Sequence, residues 1–386
     1  MSRVMLISPW SPPPDGVAFH SKSLVDSWRA AGHQVMIVTS ASSGDSGQKG
    51  EERDDGGVDV VRGLHLVPRR DTTRLLSRFR PDVVVVQFAI ASQSMNIVST
   101  IALARAAHRE GIPVVTAFHE PVREIDRLGP FSRWIYRQME RSSSIGVAYS
   151  SAGATALVAS GLFRVATELP HGCSPVEVTA VDLARVRERY AITSPLIISL
   201  GFSHVDKGTD LLVEAMSGIT QSLGGDVQFL LAGSPRQRRG IFRLMGRADR
   251  RFHERLATAS SRLTGVSVEM SGYVPSEDVP ALLHIASAVV LPYRRSTQSG
   301  VANQALAAGA VILASDIPGL RSDLGPAAHF FRSGSVADLV ERSVSVLSNP
   351  QDGLREAARR RASERSYDVV AARLVEVGLS GVDDFA

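Results

Sequence analysis

Three kinds of chemical group recur just after apolar runs of strand length: glycines that expose backbone amides, one lysine, and a histidine beside a carboxylate. After residues 4–7, a proline-stiffened loop delivers Asp15 and Gly16 to a helix start, with His20 one turn further on. Amides at such a start can hold an anion, and an ordinary Asp-Gly turn accounts for the same residues. His119 and Glu120 follow 113–117, where an imidazole and a carboxylate can hydrogen-bond a polyol or move a proton. Lys207 stands in Gly201-Phe202-Ser203-His204-Val205-Asp206-Lys207-Gly208, between the run 196–200 and a helical stretch. An ammonium there, with a helix dipole behind it, suits a diphosphate. Gly233-Ser234 and Gly272-Tyr273-Val274-Pro275 follow two further runs and can present main-chain groups to a base. The longest segment joins the polar loop Ser296-Thr297-Gln298-Ser299-Gly300-Val301 to a small-residue helix containing Gln304, a second phosphate-cradle geometry.

Such loops meet one ligand only if the strands before them end on one edge. The runs 4–7, 35–38, 83–87, 113–117 and 145–148 are apolar at nearly every position rather than at alternate ones, as strands buried on both faces of a parallel sheet are. Helix-period segments alternate with them. The runs 196–200, 227–231, 266–270, 288–291, 310–314 and 328–331 repeat the pattern. The expected fold is therefore α/β, with two Rossmann-like, doubly wound parallel-sheet domains and ligands beyond the carboxyl ends of the strands. The first domain is expected over 1–178, a linker over 179–194 and the second domain from 195. The polar segment 40–57 reads as a mobile surface insertion.

Composition narrows the chemistry. The 386 residues are 44% hydrophobic and 21% charged, enough for two packed cores. A single cysteine, Cys173, excludes a disulfide scaffold and a multi-cysteine zinc site. No GxGxxG follows either first strand and no GxxxxGK[ST] exists, which sets aside hydride transfer and P-loop phosphoryl transfer. A net charge of +4 does not imply nucleic acid. Arginines bunch over 236–262 and at Arg123, Arg127, Arg133, Arg137 and Arg141, which suits a phosphate or a lipid surface. No apolar run reaches membrane-spanning length, so a soluble, cytoplasmic protein is expected.

Taken in order, these segments resemble the GT-B glycosyltransferases of family 4 over nearly the whole chain. The resemblance rests on Asp15-Gly16 with Gly32-His33-Gln34-Val35, and on Pro113-Val114-Val115-Thr116-Ala117-Phe118-His119. In the second half it rests on Gly201 through Lys207-Gly208, Gly272-Tyr273-Val274-Pro275, and Ala305-Leu306-Ala307-Ala308-Gly309 running on to Ser315-Asp316-Ile317-Pro318-Gly319-Leu320. It implies two domains facing across a cleft, a nucleotide sugar bound mainly by the second (195–365), an acceptor held mainly by the first, and a last helix in 366–386 returning to the first. It also implies transfer of a hexosyl unit with retention of configuration, needing no metal and no cofactor beyond the nucleotide sugar. Carried over residue by residue, the donor site is Gly16, Gly201, Ser203, Lys207, Gly233, Tyr273, Val274, Thr297, Gln298, Ser299, Gly300, Val301 and Gln304. The acceptor site is Asp15, His20 and Glu120, and the catalytic pair is His119 and Lys207.

The chain departs from the family at two places. Where the family pattern has two glutamates eight positions apart, Ser296 and Gln304 stand here; glutamine can still bond a ribose hydroxyl but brings no charge. Phe202 and Ser203 stand where an arginine often follows the first glycine, leaving Lys207, loop amides and Arg294 or Arg295 to neutralise a diphosphate. These departures keep two alternatives open: a catalytically silent GT-B protein that binds sugar nucleotide or a partner subunit, and a GT-B sugar-nucleotide epimerase. The stretch 131–141, with arginines every fourth residue beside Phe131 and Trp134, fits either an interfacial membrane helix at the inner face of a membrane or a solvated arginine stripe over a packed face.

Overall fold

A computed structural model of the chain describes residues 1–10, 16–39, 50–53, 59–62, 69–90, 97–235, 243–272, 274–296 and 299–380. The chain divides into two compact units, one formed by Met1–Gly172 with the last helix, the other by Cys173–Ser366. In the first unit the strands are β1 Arg3–Ile7, β2 Gln34–Val38, β3 Gly50–Arg53, β4 Asp59–Arg62, β5 Val83–Phe88, β6 Val114–Phe118, β7 Ile145–Ala148 and β8 Ala166–Glu168. They lie in the order β3-β4-β2-β1-β5-β6-β7-β8, parallel throughout except for β3, which runs antiparallel to β4 at the edge. The second unit orders β11 Ser267–Glu269, β10 Gln228–Ala232, β9 Leu196–Leu200, β12 Ala288–Leu291, β13 Ile312–Ser315 and β14 Ala328–Phe331 into one parallel sheet.

The all-apolar runs are what a sheet covered on both faces requires. Val4 and Leu6 of β1 pack with Leu24, Trp28 and the C-terminal helix, while Met5 and Ile7 pack on the opposite face with Ile101, Leu103 and Tyr136. In the second unit Leu196 and Ile198 face one core and Ile197 the other. Because these strands pair parallel, every strand end that precedes a candidate loop falls on the same edge of its sheet.

The helix Tyr367–Leu379 completes the first unit by packing on the helix Gly16–Ala30. The indole N–H of Trp28 donates to the Ala371 carbonyl at 2.8 Å. Gly378 lies so close to the sheet that a Cβ there would stand 2.5 Å from Val83 Cγ2 and 3.0 Å from Val115 Cγ2.

Two segments differ from the sequence expectation. The second unit begins at Cys173, and 179–194 holds a helix, Ala180–Arg189, opened by a capping box between Thr179 and Asp182. That helix is docked by the buried Val186 and by Arg185 and Arg189, which pair with the fully buried Asp278, Arg185 Nε at 3.0 Å. Within 40–57, residues 50–53 form β3, whose partner strand β4 the sequence reading had left out; 40–49 and 54–58 lie outside the described residues.

Filling the space at Gly378 should test how the last helix is held. Gly378→Val is expected to destabilise the first unit by about 1–3 kcal/mol through overpacking, read as a lower midpoint in thermal or urea unfolding, while Ser380→Val on the exposed end leaves it unchanged.

Candidate functional site

The carboxyl edge of the second sheet gathers most of the expected donor residues. Ser199, Gly201, Ser203, Lys207, Gly233 and Tyr293 line one recess there. Two glycines make it possible: a Cβ on Gly233 would stand 1.8 Å from the Gly201 carbonyl oxygen, and one on Gly208 would stand 1.9 Å from that of Pro292. Gly208 also takes the left-handed conformation (φ 62°) that ends the short 3₁₀ turn Val205–Lys207 and starts the helix Thr209–Ser222. That turn is stapled by His204, whose Nδ1 accepts from the Asp206 amide at 3.1 Å. It sets the half-buried Lys207 so that Nζ lies 3.7 Å from the centroid of the buried Tyr293 ring.

Tyr293 links the lysine to the second cradle. Its hydroxyl is 3.1 Å from Ser299 Oγ, which in turn accepts from the Ala302 amide and caps the helix Gly300–Ala307. The Ser299 amide donates to Asp323 Oδ2 at 3.3 Å, and Asp323 is paired with Arg365 at 3.0 Å, both side chains almost fully buried. Burial pushes the Asp323 carboxyl up, against the pull of Arg365. Val301 packs beside Gly201, within 3.3 Å of where a Cβ would be, and Gln304 is exposed on the same helix. Val274 is buried in the core.

The arginines expected to assist Lys207 are otherwise engaged. Arg294 makes a two-pronged contact with Asp210 at 2.7 Å for each bond, and also donates to the Val205 carbonyl. Arg295 bonds Asp206 at 2.8 and 3.0 Å. Their charges are balanced within the loop, because the acidic residues flanking Lys207 in sequence face them across it. Ser203, at the position where the family often has arginine, bonds His253 Nδ1 at 2.9 Å.

The carboxyl edge of the first sheet carries a buried ring cluster. Gln87, near the end of β5, offers its side-chain oxygen to His119 Nε2 at 2.8 Å and to the Tyr149 hydroxyl at 2.9 Å. One oxygen accepting from both fixes the proton of His119 on Nε2. His20 lies wholly buried among His171 (centroids 4.3 Å apart), Tyr149 (4.8 Å), His119 (5.3 Å) and Tyr367 (5.4 Å). Neither of its ring nitrogens has a hydrogen-bond partner among the described residues. Burial above all, then the neighbouring histidines, holds His20 and His119 well below the usual imidazole range, so both are neutral.

His20 was expected to contact an acceptor, and the helix register instead turns Phe19 to solvent, 69% exposed, and His20 inward. Gly16 opens that helix. Glu120 is half-buried at the N-cap of the helix Pro121–Glu140 and makes no side-chain capping bond, while Glu124 one turn on is buried and accepts from the Ile90 amide and the Tyr136 hydroxyl. Asp15, Tyr273, Thr297 and Gln298 lie outside the described residues. Gln87, Tyr149, His171 and Tyr293 were missed; the one signal in sequence was a glutamine near the end of a run of four valines. Among the described residues no three His, Cys, Asp or Glu side chains stand so as to hold a metal ion.

Two α/β units, each built on a mainly parallel sheet, the second with a glycine-lined recess and a capped helix at its strand ends, define a fold class that the comparisons narrow. The model for "Glycosyl transferases group 1" matches residues 184–366, and that for "Glycosyl transferase 4-like domain" matches 15–171. The chain belongs to the GT-B, family 4-like group 1 glycosyltransferases. It is 27% identical over 201 residues to an alpha-D-kanosaminyltransferase of Streptomyces kanamyceticus, a match that takes in 50% of this chain and only 46% of that protein's length. It is 25% identical over 384 residues to a phosphatidyl-myo-inositol mannosyltransferase of Mycobacterium leprae, 97% of this chain and 96% of that one. A UDP-forming alpha,alpha-trehalose-phosphate synthase from Burkholderia xenovorans shares the fold, with a TM-score of 0.72 at 15% identity, covering 99% of this chain and all of the other.

Two measurements follow from this geometry. Because the folded pKa of His20 and His119 is depressed, their contribution to stability is complete above the unfolded value near 6.5 and is lost as pH falls below it. His20→Phe should therefore gain on wild type by about 1.4 kcal/mol per pH unit below that value, seen by comparing urea unfolding at pH 7 and pH 5. At the other sheet, Asp323→Leu should cost about 3–5 kcal/mol by stranding a buried arginine, and adding Arg365→Leu should recover most of the loss.

Proposed function

We propose that this protein transfers a hexosyl unit from a nucleotide-diphosphate sugar to an acceptor hydroxyl, with retention of configuration and without a metal. The observation that carries the reading is the Lys207 ammonium held over the Tyr293 ring in the second-unit recess, one hydrogen bond away from the cap of the helix Gly300–Ala307. The names of the two relatives, a kanosaminyltransferase and a mannosyltransferase, support a hexosyl donor.

As the glycosidic bond to the diphosphate breaks, positive charge grows on the sugar ring and negative charge on the leaving group. Lys207 meets that negative charge without first having to give up a carboxylate partner, since Asp206 and Asp210 are held by Arg295 and Arg294. Amides at the start of the helix Gly300–Ala307 add a field of the same sign, worth most in a site from which water is excluded. In the first unit, His119 contributes as a neutral hydrogen-bonding ring whose orientation is set by Gln87, and not as a cation or a nucleophile. Gln304, exposed on the same helix, takes the role of an uncharged ribose contact.

A thermal-shift panel of uridine, guanosine and thymidine diphosphate hexoses tests the reading. One donor at a hundred times its dissociation constant should stabilise wild type by about 2.7 kcal/mol, a rise of a few degrees, and Lys207→Ala should lose the shift. His119→Ala should keep the shift and lower turnover by about a hundredfold. Absence of a shift with every donor would overturn the assignment.

A further inference from the structure

The helix Pro121–Glu140 is broken at Gly129, which adopts φ 56° and ψ −136°, and by the following Pro130. Beyond the break, Ser132, Ile135, Tyr136 and Met139 are buried in the first unit. The opposite face leaves Phe131 and Trp134 60% and 53% exposed, followed at helical spacing by the exposed Arg137 and Arg141. The neighbouring helix Ser151–Ala159 adds Val158, 45% exposed, and the loop after it adds Arg164, 93% exposed in its side chain. Arg137, Arg141, Val158 and Arg164 line one shallow recess. The acid there, Glu140, already lies 3.4 Å from Arg164, so the recess keeps an excess of positive charge.

We propose that this face docks on a bilayer containing anionic lipid. Exposed aromatic rings beside arginines match both layers of such a surface: the rings enter the boundary between headgroups and acyl chains, and the guanidiniums meet lipid phosphates. A second copy of the chain fits poorly, because pairing the face with itself brings arginine against arginine. Among the described residues no helix is long and apolar enough to cross a membrane, and this contact stays at the surface. It is separate from the transfer reaction and stands or falls without it.

The test is co-sedimentation of the full chain with vesicles of phosphatidylcholine alone or mixed with phosphatidylglycerol, read together with tryptophan emission. Of the three tryptophans, Trp10 and Trp28 are buried, so a blue shift on adding vesicles reports Trp134. Wild type should pellet with the anionic vesicles only, with a blue shift, and high salt should release it. Arg137→Glu with Arg141→Glu should lower the partition coefficient at least about tenfold, and Phe131→Ser should weaken it with the charge intact. Arg373→Glu, an exposed arginine on the last helix, should behave as wild type. Far-UV circular dichroism and the thermal midpoint of the same variants should match wild type, which shows that the first unit is folded. The Lys207-dependent donor shift, which reads the second unit, should persist, which separates this test from that of the donor site. Equal pelleting with neutral vesicles, no pelleting with anionic ones, or charge-reversed protein that binds as wild type would overturn the proposal, the last assigning the arginines to an acidic protein surface or to solvent.

Discussion

The second unit depends on backbone touching backbone. The loops leaving β9, β10 and β12 approach so closely that only hydrogen fits at Gly233, against the Gly201 carbonyl, and at Gly208, against that of Pro292. Everything else at this edge is placed by those two contacts. The first brings the ends of β9 and β10 together as one wall of the recess, and the second closes the turn that carries Lys207 against the loop after β12 that carries Tyr293. Glycine here sacrifices chain entropy to gain proximity, which is its usual use where main chain must come near main chain or ligand.

Beneath that contact runs a chain of polar groups, half-buried at Lys207 and buried from Tyr293 inward. Lys207 rests on Tyr293, Tyr293 bonds Ser299, the Ser299 amide bonds Asp323, and Asp323 faces Arg365. A buried ion pair contributes little net stability against an apolar replacement, yet it is strongly directional once formed. Its service here is geometric: it fixes one loop residue, Ser299, from below, and that residue caps the helix whose amides point outward. The first unit solves the matching problem with rings in place of ions. His20 and His119 stay neutral chiefly because they are buried, with the neighbouring histidines adding to the effect, and Gln87 orients one of them by accepting two hydrogen bonds at one oxygen.

Strands buried on both faces were legible because little that is polar interrupts them: Val83 to Val86 or Leu196 to Ile198 can hardly lie elsewhere. The short edge strands of the first sheet were not. β3, with the sequence Gly-Glu-Glu-Arg, and β8, Ala-Thr-Glu, owe their form to a neighbour's hydrogen bonds and have no apolar signature. The helix Ala180–Arg189 carries five charged side chains in ten residues and read as linker because its anchor, Asp278, lies about ninety positions away. The same distance rule divides the candidate site. Lys207, Ser299 and the glycines announce themselves by standing after strands, whereas the engagement of Arg294 and Arg295 by Asp210 and Asp206 required knowing which loops meet. His20 shows the limit of reading direction from position: one residue of register separates the most buried side chain of its turn from an exposed phenylalanine.

The return of the last helix to the first unit carries a consequence for how the protein is made. The bond from Trp28 to Ala371 spans 343 residues, so the first unit to leave the ribosome is the last whose core can close. The second unit, continuous from Cys173 to Ser366, has all its strands before that helix is translated. Vectorial synthesis, which ordinarily lets amino-terminal domains fold first, is here inverted. Until Tyr367–Leu379 emerges, the groove over Leu24, Trp28 and Val83 is an open apolar surface on a nascent chain, a natural substrate for chaperones and a point at which premature termination leaves the first unit without its cover.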